Sequence, residues 1–311
     1  MNLSLFGPPP LVAVEPRRLP LLSTTAAAKY RRCPRLYFFE QVLRVRPRYI
    51  PAPLRFGLTM HAGLEAWMRG GCDLEAALNA IESAEADPFE RARAHALMMG
   101  YHVRWKASPL KVLHVEVRAD GPLMNPATGA PSTTRGFTCR LDGVVEYEGR
   151  PWIIEHKTTS SDLDDHLYWS AVRLSAQVGD YLEGAKALGI EPAGVIYDVL
   201  HTPGHRPLVQ NRKNERNEMP DEFEARVCKD IAKAPGEYYV RRHEVRLVDE
   251  LREAAADLWA THKDIQRAER SGVWPRNTGA CRVGRHLCAF VPVCTGTSTL
   301  DNKALYERRE A

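Results

Sequence analysis

The sequence lacks any apolar run that approaches the ~20 residues needed to cross a bilayer, so no membrane-spanning helix is predicted. Its first residues carry no early basic cluster and are interrupted by prolines, which is a poor match to a secretory signal. No internal repeat and no phosphate-binding loop of the form GxxxxGK(S/T) are present, so the chain is not predicted to be a P-loop ATPase or helicase. We therefore expect a cytoplasmic protein without a membrane partner, for which any helicase would be a separate chain.

Acidic residues are scarce in the first part of the chain. The net charge is only 43 − 39 = +4, but residues 1–60 hold ten Lys/Arg and two Asp/Glu, which gives them a charge of +8. The basic residues cluster between positions 29 and 48 and include Arg31, Arg32 and Arg35. Such a patch attracts polyanions, although charge alone also fits a solvated helix face.

Length and composition predict a globular protein with a sizeable core. The 311 residues are 44% hydrophobic, which is ordinary for a folded domain. We expect one domain between a Pro-rich arm at 1–22 and a short tail at 297–311. Within that domain, at 23–296, we expect a helical part at 23–106, a core at 107–245, and a helix with a cysteine-rich tail at 246–296.

Hydrophobic periodicity predicts the elements around the most informative segment. Residues 138–157 read as a β-hairpin, and residues 120–134 before it read as a polar loop. An amphipathic helix is predicted from about 58 to 69, and a second helix is predicted over 168–188.

The hairpin carries two carboxylates and a lysine. Because side chains alternate along a strand, Glu155 and Lys157 share a face and His156 points the other way. A two-residue turn at Glu148-Gly149 would set Asp142 opposite Glu155, whereas a four-residue turn would set it opposite Lys157. Both registers place the three side chains on one face, with directly paired Cβ atoms ~5 Å apart.

Two carboxylates this close repel each other unless a cation lies between them. Their hard oxygens suit Mg²⁺ or Mn²⁺, which can polarise a phosphate and activate a water for phosphodiester hydrolysis. Lys157 could orient that water or stabilise developing charge. The competing interpretation is a surface Asp with a cross-strand Glu–Lys pair.

Three more polar residues lie on or beside the inward stripes of predicted helices. Gln177 and Tyr181 are spaced i, i+4 on an inward stripe, which suggests hydrogen bonds at a site rather than an ordinary helix edge. His61 borders the apolar stripe of its helix, where a histidine is more often a buried core residue than a ligand.

Seven cysteines without an export signal argue against a disulfide framework. Three of them, Cys281, Cys288 and Cys294, are close together in the tail, which points to metal. A fourth ligand could be His286 for zinc, or the distant Cys33. The spacings do not match the C-x2-C knuckles of common zinc modules, which favours iron–sulfur over zinc.

These motifs, taken in order, resemble the RecB-like branch of the PD-(D/E)XK nucleases that carries an iron–sulfur cluster. The relatives in question are the CRISPR-associated exonuclease, the nuclease domain of the AddB subunit and phage exonucleases. The resemblance runs from about Ser23 to Cys294 and rests on an ordered set of motifs. They are Cys33-Pro34, Gly57-x-x-x-His61, Asp142-Gly143, Glu155-x-Lys157-Thr158, Gln177-x3-Tyr181 and Trp274-Pro275-x-Asn277.

The resemblance implies an α/β (α+β) fold with a restriction-endonuclease-like core. In that core a mixed central sheet is flanked by helices, and a metal cluster joins the N-terminal helical segment to the cysteine tail. It implies that His61, Asp142, Glu155 and the backbone carbonyl of His156 hold Mg²⁺ or Mn²⁺. Further implied roles are catalysis for Lys157, with Gln177 and Tyr181 beside it, and an acidic position near the site for Glu116. Cys33, Cys281, Cys288 and Cys294 are the implied ligands of a [4Fe–4S] cluster, with zinc as the alternative at this site.

The function predicted from these features is a divalent-metal-dependent DNA nuclease, in particular an exonuclease, in recombination, repair or phage DNA processing. Its DNA contacts are expected at Arg31, Arg32, Arg35 and Thr158. A helicase or recombination protein is an expected partner, and a homo-oligomer is compatible with the fold. The alternatives are a catalytically weak iron–sulfur DNA-binding subunit of a larger complex and a zinc-tailed protein of unrelated function.

Overall fold

The structure is a computed structural model that describes residues 19–211, 214, 216–283 and 286–309. Its described residues form one mixed six-stranded sheet and two short two-stranded sheets. None of its described helices combines the length and apolar character that a bilayer crossing requires.

The strands of the central sheet are β1 (Leu21–Ser23), β3 (Lys111–Met124), β4 (Pro131–Tyr147), β5 (Arg150–Thr159), β6 (Val195–His201) and β7 (Tyr239–Glu244). Their order is β1-β4-β5-β6-β7, with β3 paired to the other edge of β4. β1 runs parallel to β4, and β5 runs parallel to β6, while the remaining pairs are antiparallel. The short strands are β2 (Val45–Pro47), β8 (Arg282–Val283), β9 (His286–Leu287) and β10 (Tyr306–Arg308).

Helices cover both faces of this sheet. The helices are α1 (Thr24–Arg32), α2 (Pro34–Tyr37), α3 (Ala52–Arg69), α4 (Leu74–Glu82), α5 (Pro88–Trp105), α6 (His166–Leu174), α7 (Gln177–Ala187), α8 (Pro220–Lys233), α9 (Val248–Ser271) and α10 (Val291–Cys294). A π-helical turn at Phe38–Val42 follows α2. One apolar core joins α1, α7 and α9 to the sheet, and a second joins α3, α4, α5 and α8 to its other face.

A third, smaller core lies apart from the sheet. It contains Leu36, Phe39 and Val45 from the N-terminal side and Phe290 and Tyr306 from the C-terminal side. β10, near the end of the described chain, pairs antiparallel with β2 of the N-terminal part. This core will be called the cysteine lobe, because Cys33, Cys288 and Cys294 pack against it and Cys281 lines the same cavity.

Three predictions of secondary structure are wrong. α3 begins at Ala52 rather than near 58, because Pro51 and Pro53 fall at the helix start, where a missing N–H is tolerated. β3 and β4 extend into the predicted loop at 120–134 and leave only residues 125–130 between them. The predicted helix over 168–188 is two helices, α6 and α7, which are separated at residues 175 and 176.

Candidate active site

The hairpin of β4 and β5 has the first of the two registers derived from the sequence. Glu148 and Gly149 both have positive φ angles, 51° and 71°, and form a two-residue turn. Paired residues run from Tyr147↔Arg150 to Gly143↔Ile154. Continued by one residue, this register sets Asp142 opposite Glu155.

Asp142 lies where the sheet forks. Along one edge of β4, β1 pairs with residues 136–138 and β5 pairs with residues 143–147. At the gap between them, the Asp142 carboxylate accepts a hydrogen bond of 2.8 Å from the backbone N–H of His156. The carboxylate therefore satisfies a backbone group at the point where the ladder stops.

Helix α3 brings His61 to this fork. Its buried residues Met60 and Leu64 anchor it on the sheet and leave His61 at the border of the core. His61 Nδ1 lies 3.6 Å from Asp142 Oδ2, and the ring lies close to the backbone of His156. Gly143 allows this approach, because a Cβ there would stand 2.5 Å from Met68 Cε.

Glu116 on β3 completes a group of three possible metal ligands. Ligand atoms of His61, Glu116 and Asp142 all lie within 4.8 Å of one another. Glu116 has a φ angle of +53°, which is unusual for a residue with a side chain and is a form of strain found at functional sites. Its carboxylate is mostly buried and is paired with the exposed guanidinium of Arg140.

Glu155 lies deeper, at 2% exposure, next to this group. One of its oxygens pairs with Lys157 Nζ, and the ammonium also donates a 3.0 Å hydrogen bond to Gln177 Oε1. Gln177 in turn donates to the Tyr181 hydroxyl. α7 therefore faces the site with both polar residues of the predicted i, i+4 pair, and it holds the lysine against the carboxylate.

The protonation states suit cation binding. Burial and the neighbouring His156 lower the pKa of His61 to about 4, so its ring is neutral at pH 7 and can act as a ligand. Burial and the charge of Asp142 raise the pKa of Glu155, while Lys157 opposes that shift. Burial likewise raises the pKa of Glu116. A carboxylate that is destabilised in this way is one that a bound cation would stabilise.

The side chain of His156 points away from this group, as strand alternation predicts. Its Nε2 lies 3.1 Å from Met68 Sδ, and its Nδ1 lies 3.5 Å from Asp198 Oδ2. His156 also meets the His61 ring edge to face, with the ring centroids 6.4 Å apart. Its carbonyl, not its ring, is the group available as a ligand.

Sequence reasoning missed the buried network under His156. Asp198 accepts a hydrogen bond of 2.5 Å from Tyr101 and forms an ion pair of 3.0 Å with Arg241, its paired residue on β7. The guanidinium lowers the pKa of Asp198. An Asp inside the apolar run of β6 was the available signal, because a buried carboxylate requires a partner.

The donor set fits a divalent cation. Two carboxylates, a neutral imidazole and a backbone carbonyl are the ligand types that Mg²⁺ and Mn²⁺ accept. In addition, Glu155 Oε2 is buried and has no hydrogen-bond partner among the described residues. An unpartnered buried oxygen costs about 1–3 kcal/mol, so a cation at this position would remove that cost.

The four cysteines predicted as cluster ligands meet in the cysteine lobe. Cys33, Cys281, Cys288 and Cys294 all line one cavity there, whereas His286 lies on β9 with an exposed side chain. Asn277 connects the two ends of the chain, since its backbone N–H lies 3.5 Å from Cys33 Sγ and its amide donates to the Arg32 carbonyl. Trp274 stacks on Tyr37 and Phe38.

The predicted DNA-binding residues lie in two places. Arg32 and Arg35 donate to the carbonyls of Ala280 and Trp274, so they also fasten the tail to α1 and α2. Arg31 lies near Asp180 of α7. Thr158, two residues after His156, lies where β5 approaches α3, and its Oγ1 is 3.3 Å from the position a Cβ of Gly57 would take.

The sequence profile of the PD-(D/E)XK nuclease superfamily matches residues 21–295. Among solved structures, the crystal structure of a protein described as a presumed exonuclease from Eubacterium rectale is 12% identical, with coverage of 89% of this chain and 93% of that one and a TM-score of 0.47. The crystal structure of a protein named SSO0001 is 13% identical, with coverage of 79% and 78% and a TM-score of 0.34. A search of curated proteins finds no match. On the match over 21–295, which includes the fork and the cysteines at 33, 281, 288 and 294, the chain belongs to the PD-(D/E)XK nuclease superfamily.

Proposed function

We propose that the protein is a divalent-metal-dependent deoxyribonuclease that digests DNA from its ends. The observation that carries this proposal is the fork itself, where His61, Glu116 and Asp142 converge beside a buried Glu155 with an unpartnered oxygen. Membership of the superfamily supports phosphodiester hydrolysis and a divalent cation.

Each residue of the fork has a role in this proposal. Asp142, Glu155, His61 and the carbonyl of His156 would hold the cation, and Glu116 would join them once Arg140 moves from its carboxylate. When bound, the cation polarises the phosphate and lowers the pKa of a nearby water. Lys157 would stabilise the charge that develops on the phosphate oxygens, and Gln177 and Tyr181 would keep its ammonium in place.

We further propose that the cysteine lobe holds a [4Fe–4S] cluster rather than zinc. Cys33, Cys281, Cys288 and Cys294 line one cavity there, and a [4Fe–4S] cluster takes four cysteine ligands. The spacing Cys-x6-Cys-x5-Cys of the last three does not match the C-x2-C knuckles of common zinc modules. This donor set favours a cluster over one zinc ion.

The biological setting is part of the same proposal. The basic residues of α1 and α2 would contact the DNA backbone, and recombination, repair or phage DNA processing in the cytoplasm is the expected context. A helicase or recombination protein would be a separate partner, and self-association is compatible with the proposal. The competing role, a catalytically weak DNA-binding subunit, is disfavoured because Asp142, Glu155 and Lys157 all lie together.

The lysine provides the sharpest test. Lys157→Met should slow cleavage of end-labelled linear DNA by at least ~100-fold in Mg²⁺ or Mn²⁺, because it removes a charge that stabilises the transition state. Binding of the same DNA in EDTA should change little. Lys186→Met is the matched control, since Lys186 also lies on an element of the site, α7, but pairs only with Glu183 on the surface.

Two outcomes of this experiment would contradict the proposal. Full activity in Lys157→Met would remove the lysine from the reaction. Digestion of circular DNA as fast as linear DNA by the unaltered protein would show that ends are not required.

A further inference from the structure

A second polar pocket lies far along β4 from the fork. It has a volume of about 220 Å³ and opens between the end of the β3–β4 hairpin and α9. We will call it the hairpin pocket. Its lining includes Ser132 and Thr134 from β4 and Trp259, His262, Lys263 and Gln266 from α9, and no described residue that lines it is acidic.

The pocket exists because the β3–β4 ladder is irregular at this point. Gly136 pairs with Pro122, but the next pair is Pro131 with Met124. Residues 132–135 of β4 therefore stand opposite a single residue of β3 and leave the ladder as a bulge. Ser132 Oγ accepts the backbone N–H groups of Thr134 and Arg135, which holds the bulge in shape.

The face of α9 that meets the bulge is polar, although it packs against a sheet. Trp259, His262, Lys263 and Gln266 follow the i, i+3, i+4, i+7 spacing of one helix face. His262 is 1% exposed, its Nε2 lies 3.1 Å from Ser132 Oγ, and its Nδ1 has no partner among the described residues. A buried imidazole with one unpaired nitrogen lowers the free energy of unfolding. This cost indicates that the pocket has a ligand-binding function.

The chemistry of the lining fits one ligand class. Hydroxyl, amide and ammonium groups without a carboxylate suit a phosphate, and an indole suits the flat face of a base. Lys263 Nζ lies 5.4 Å from the centroid of the Trp259 ring and 3.2 Å from Gln266 Oε1, so the cation and the aromatic face are side by side. We propose that the hairpin pocket binds one nucleotide unit.

The position of the pocket suits binding of a substrate strand, an inference that rests on the proposed nuclease function. Ser132 precedes Asp142 by ten residues, so at ~3.3 Å per residue the two sites are at most about 33 Å apart along the strand. A DNA strand long enough to reach both sites would be held at a point remote from the scissile bond. A free mononucleotide released by digestion could enter the same pocket.

The experiment measures binding in EDTA, where no cleavage occurs, so its result does not depend on the proposed activity. Fluorescence anisotropy of labelled single strands of about 4 and about 16 nucleotides compares a substrate too short to span both sites with one that can. Thymidine monophosphate, titrated by calorimetry, tests the free nucleotide. The variant is Lys263→Glu, and Lys229→Glu, an exposed lysine on α8, is its matched control.

We expect Lys263→Glu to raise the Kd for the long strand about tenfold, while Lys229→Glu leaves it unchanged. A loss confined to the long strand would identify a substrate-strand site, whereas binding of thymidine monophosphate that Lys263→Glu abolishes, with a parallel loss for the short strand, would identify a free-nucleotide site. No loss for either strand or the mononucleotide, or an equal loss in Lys229→Glu, would overturn the proposal. Failure of the unaltered protein to cleave DNA would instead reject the nuclease activity, and the binding result would stand.

Discussion

Glu155 shows how a single residue connects stability and function. Its carboxylate is almost fully buried, one oxygen is paired with Lys157, and the other has no partner in the described part of the chain. Burial and Asp142 raise its pKa, so the charged form is disfavoured in the metal-free protein. Binding sites often contain a residue that lowers the stability of the ligand-free protein and that the ligand stabilises when it binds.

Replacing this residue should separate the two effects. A raised pKa means that Glu155 stabilises the fold when protonated and that this contribution is lost as the pH rises through its folded-state value. At pH 7, metal-free Glu155→Gln should therefore melt a few degrees higher than the unaltered protein, since 1 kcal/mol corresponds to ~2–4 °C. Saturating Mn²⁺ should raise the Tm of the unaltered protein and leave that of the variant unchanged.

Differential scanning fluorimetry with and without Mn²⁺ measures both effects. Glu253→Gln, an exposed glutamate on α9, is the control for loss of a charge. A variant that melts lower than the unaltered protein in EDTA would show that Glu155 is a structural residue.

At the scale of an element, α7 carries both the residues that hold Lys157 and a buried acid of its own. Asp180 precedes Tyr181, is 4% exposed, and has Oδ2 without a partner among the described residues. Burial raises its pKa to about 6, against the opposing effects of Thr24 and Arg31. α7 is thus joined to α1 through a group that titrates near neutral pH.

The pH dependence of stability follows from this shift. The contribution of protonated Asp180 is complete below its unfolded pKa of 3.8 and is lost as the pH rises to about 6. Asp180→Asn should remove that loss, so it should gain up to about 3 kcal/mol in unfolding free energy at pH 7 and nothing near pH 4. Urea denaturation at the two pH values tests this prediction, and an equal gain at both would contradict it.

The sequence predicted contacts within one hairpin better than contacts between segments that are distant in the chain. Alternation alone indicated that Asp142, Glu155 and Lys157 share a face, because all three lie on one hairpin. It could not choose the turn, since Glu148-Gly149 lacks the Asn-Gly or Asp-Gly signature of a two-residue turn.

Contacts between distant segments were harder to predict. Asp198 interrupts an apolar run of β6, and its partners come from α5, β5 and β7, which no local pattern indicates. The polar face of α9 was overlooked, because Trp259 and Lys263 acquire a meaning only once the bulge at 132–135 is placed against them. The start of α3 was missed because prolines break most structures but are tolerated in a first helical turn.

For the whole molecule, the cysteine lobe brings together residues from both ends of the described chain. Cys33, Cys281, Cys288 and Cys294 line one cavity, and β2 and β10 are paired beside it. A metal or cluster bound by Cys33 and the C-terminal cysteines would close a loop of almost the entire domain. Closing that loop would lower the conformational entropy of the unfolded chain and so raise the free energy of unfolding by about 5 kcal/mol.

Removing one proposed ligand should therefore affect the entire fold. Cys288→Ser should lose iron and sulfide together with the brown absorbance of the anaerobically purified protein, and its Tm should fall by several degrees. Cys228→Ser is the matched control, since Cys228 lies on α8, away from the cavity. Zinc in place of iron in the unaltered protein would contradict the cluster, and full metal content in Cys288→Ser would contradict the ligand assignment.

The contact between Asn277 and Cys33 joins positions 244 apart in the chain. During synthesis on a ribosome, α1 and α2 emerge long before the segment that covers them. Their aromatic side chains therefore stay exposed until Trp274 and β10 have been synthesised. A chain whose translation stops early has no way to finish this lobe, and its exposed aromatic surface would mark it for chaperones or proteases.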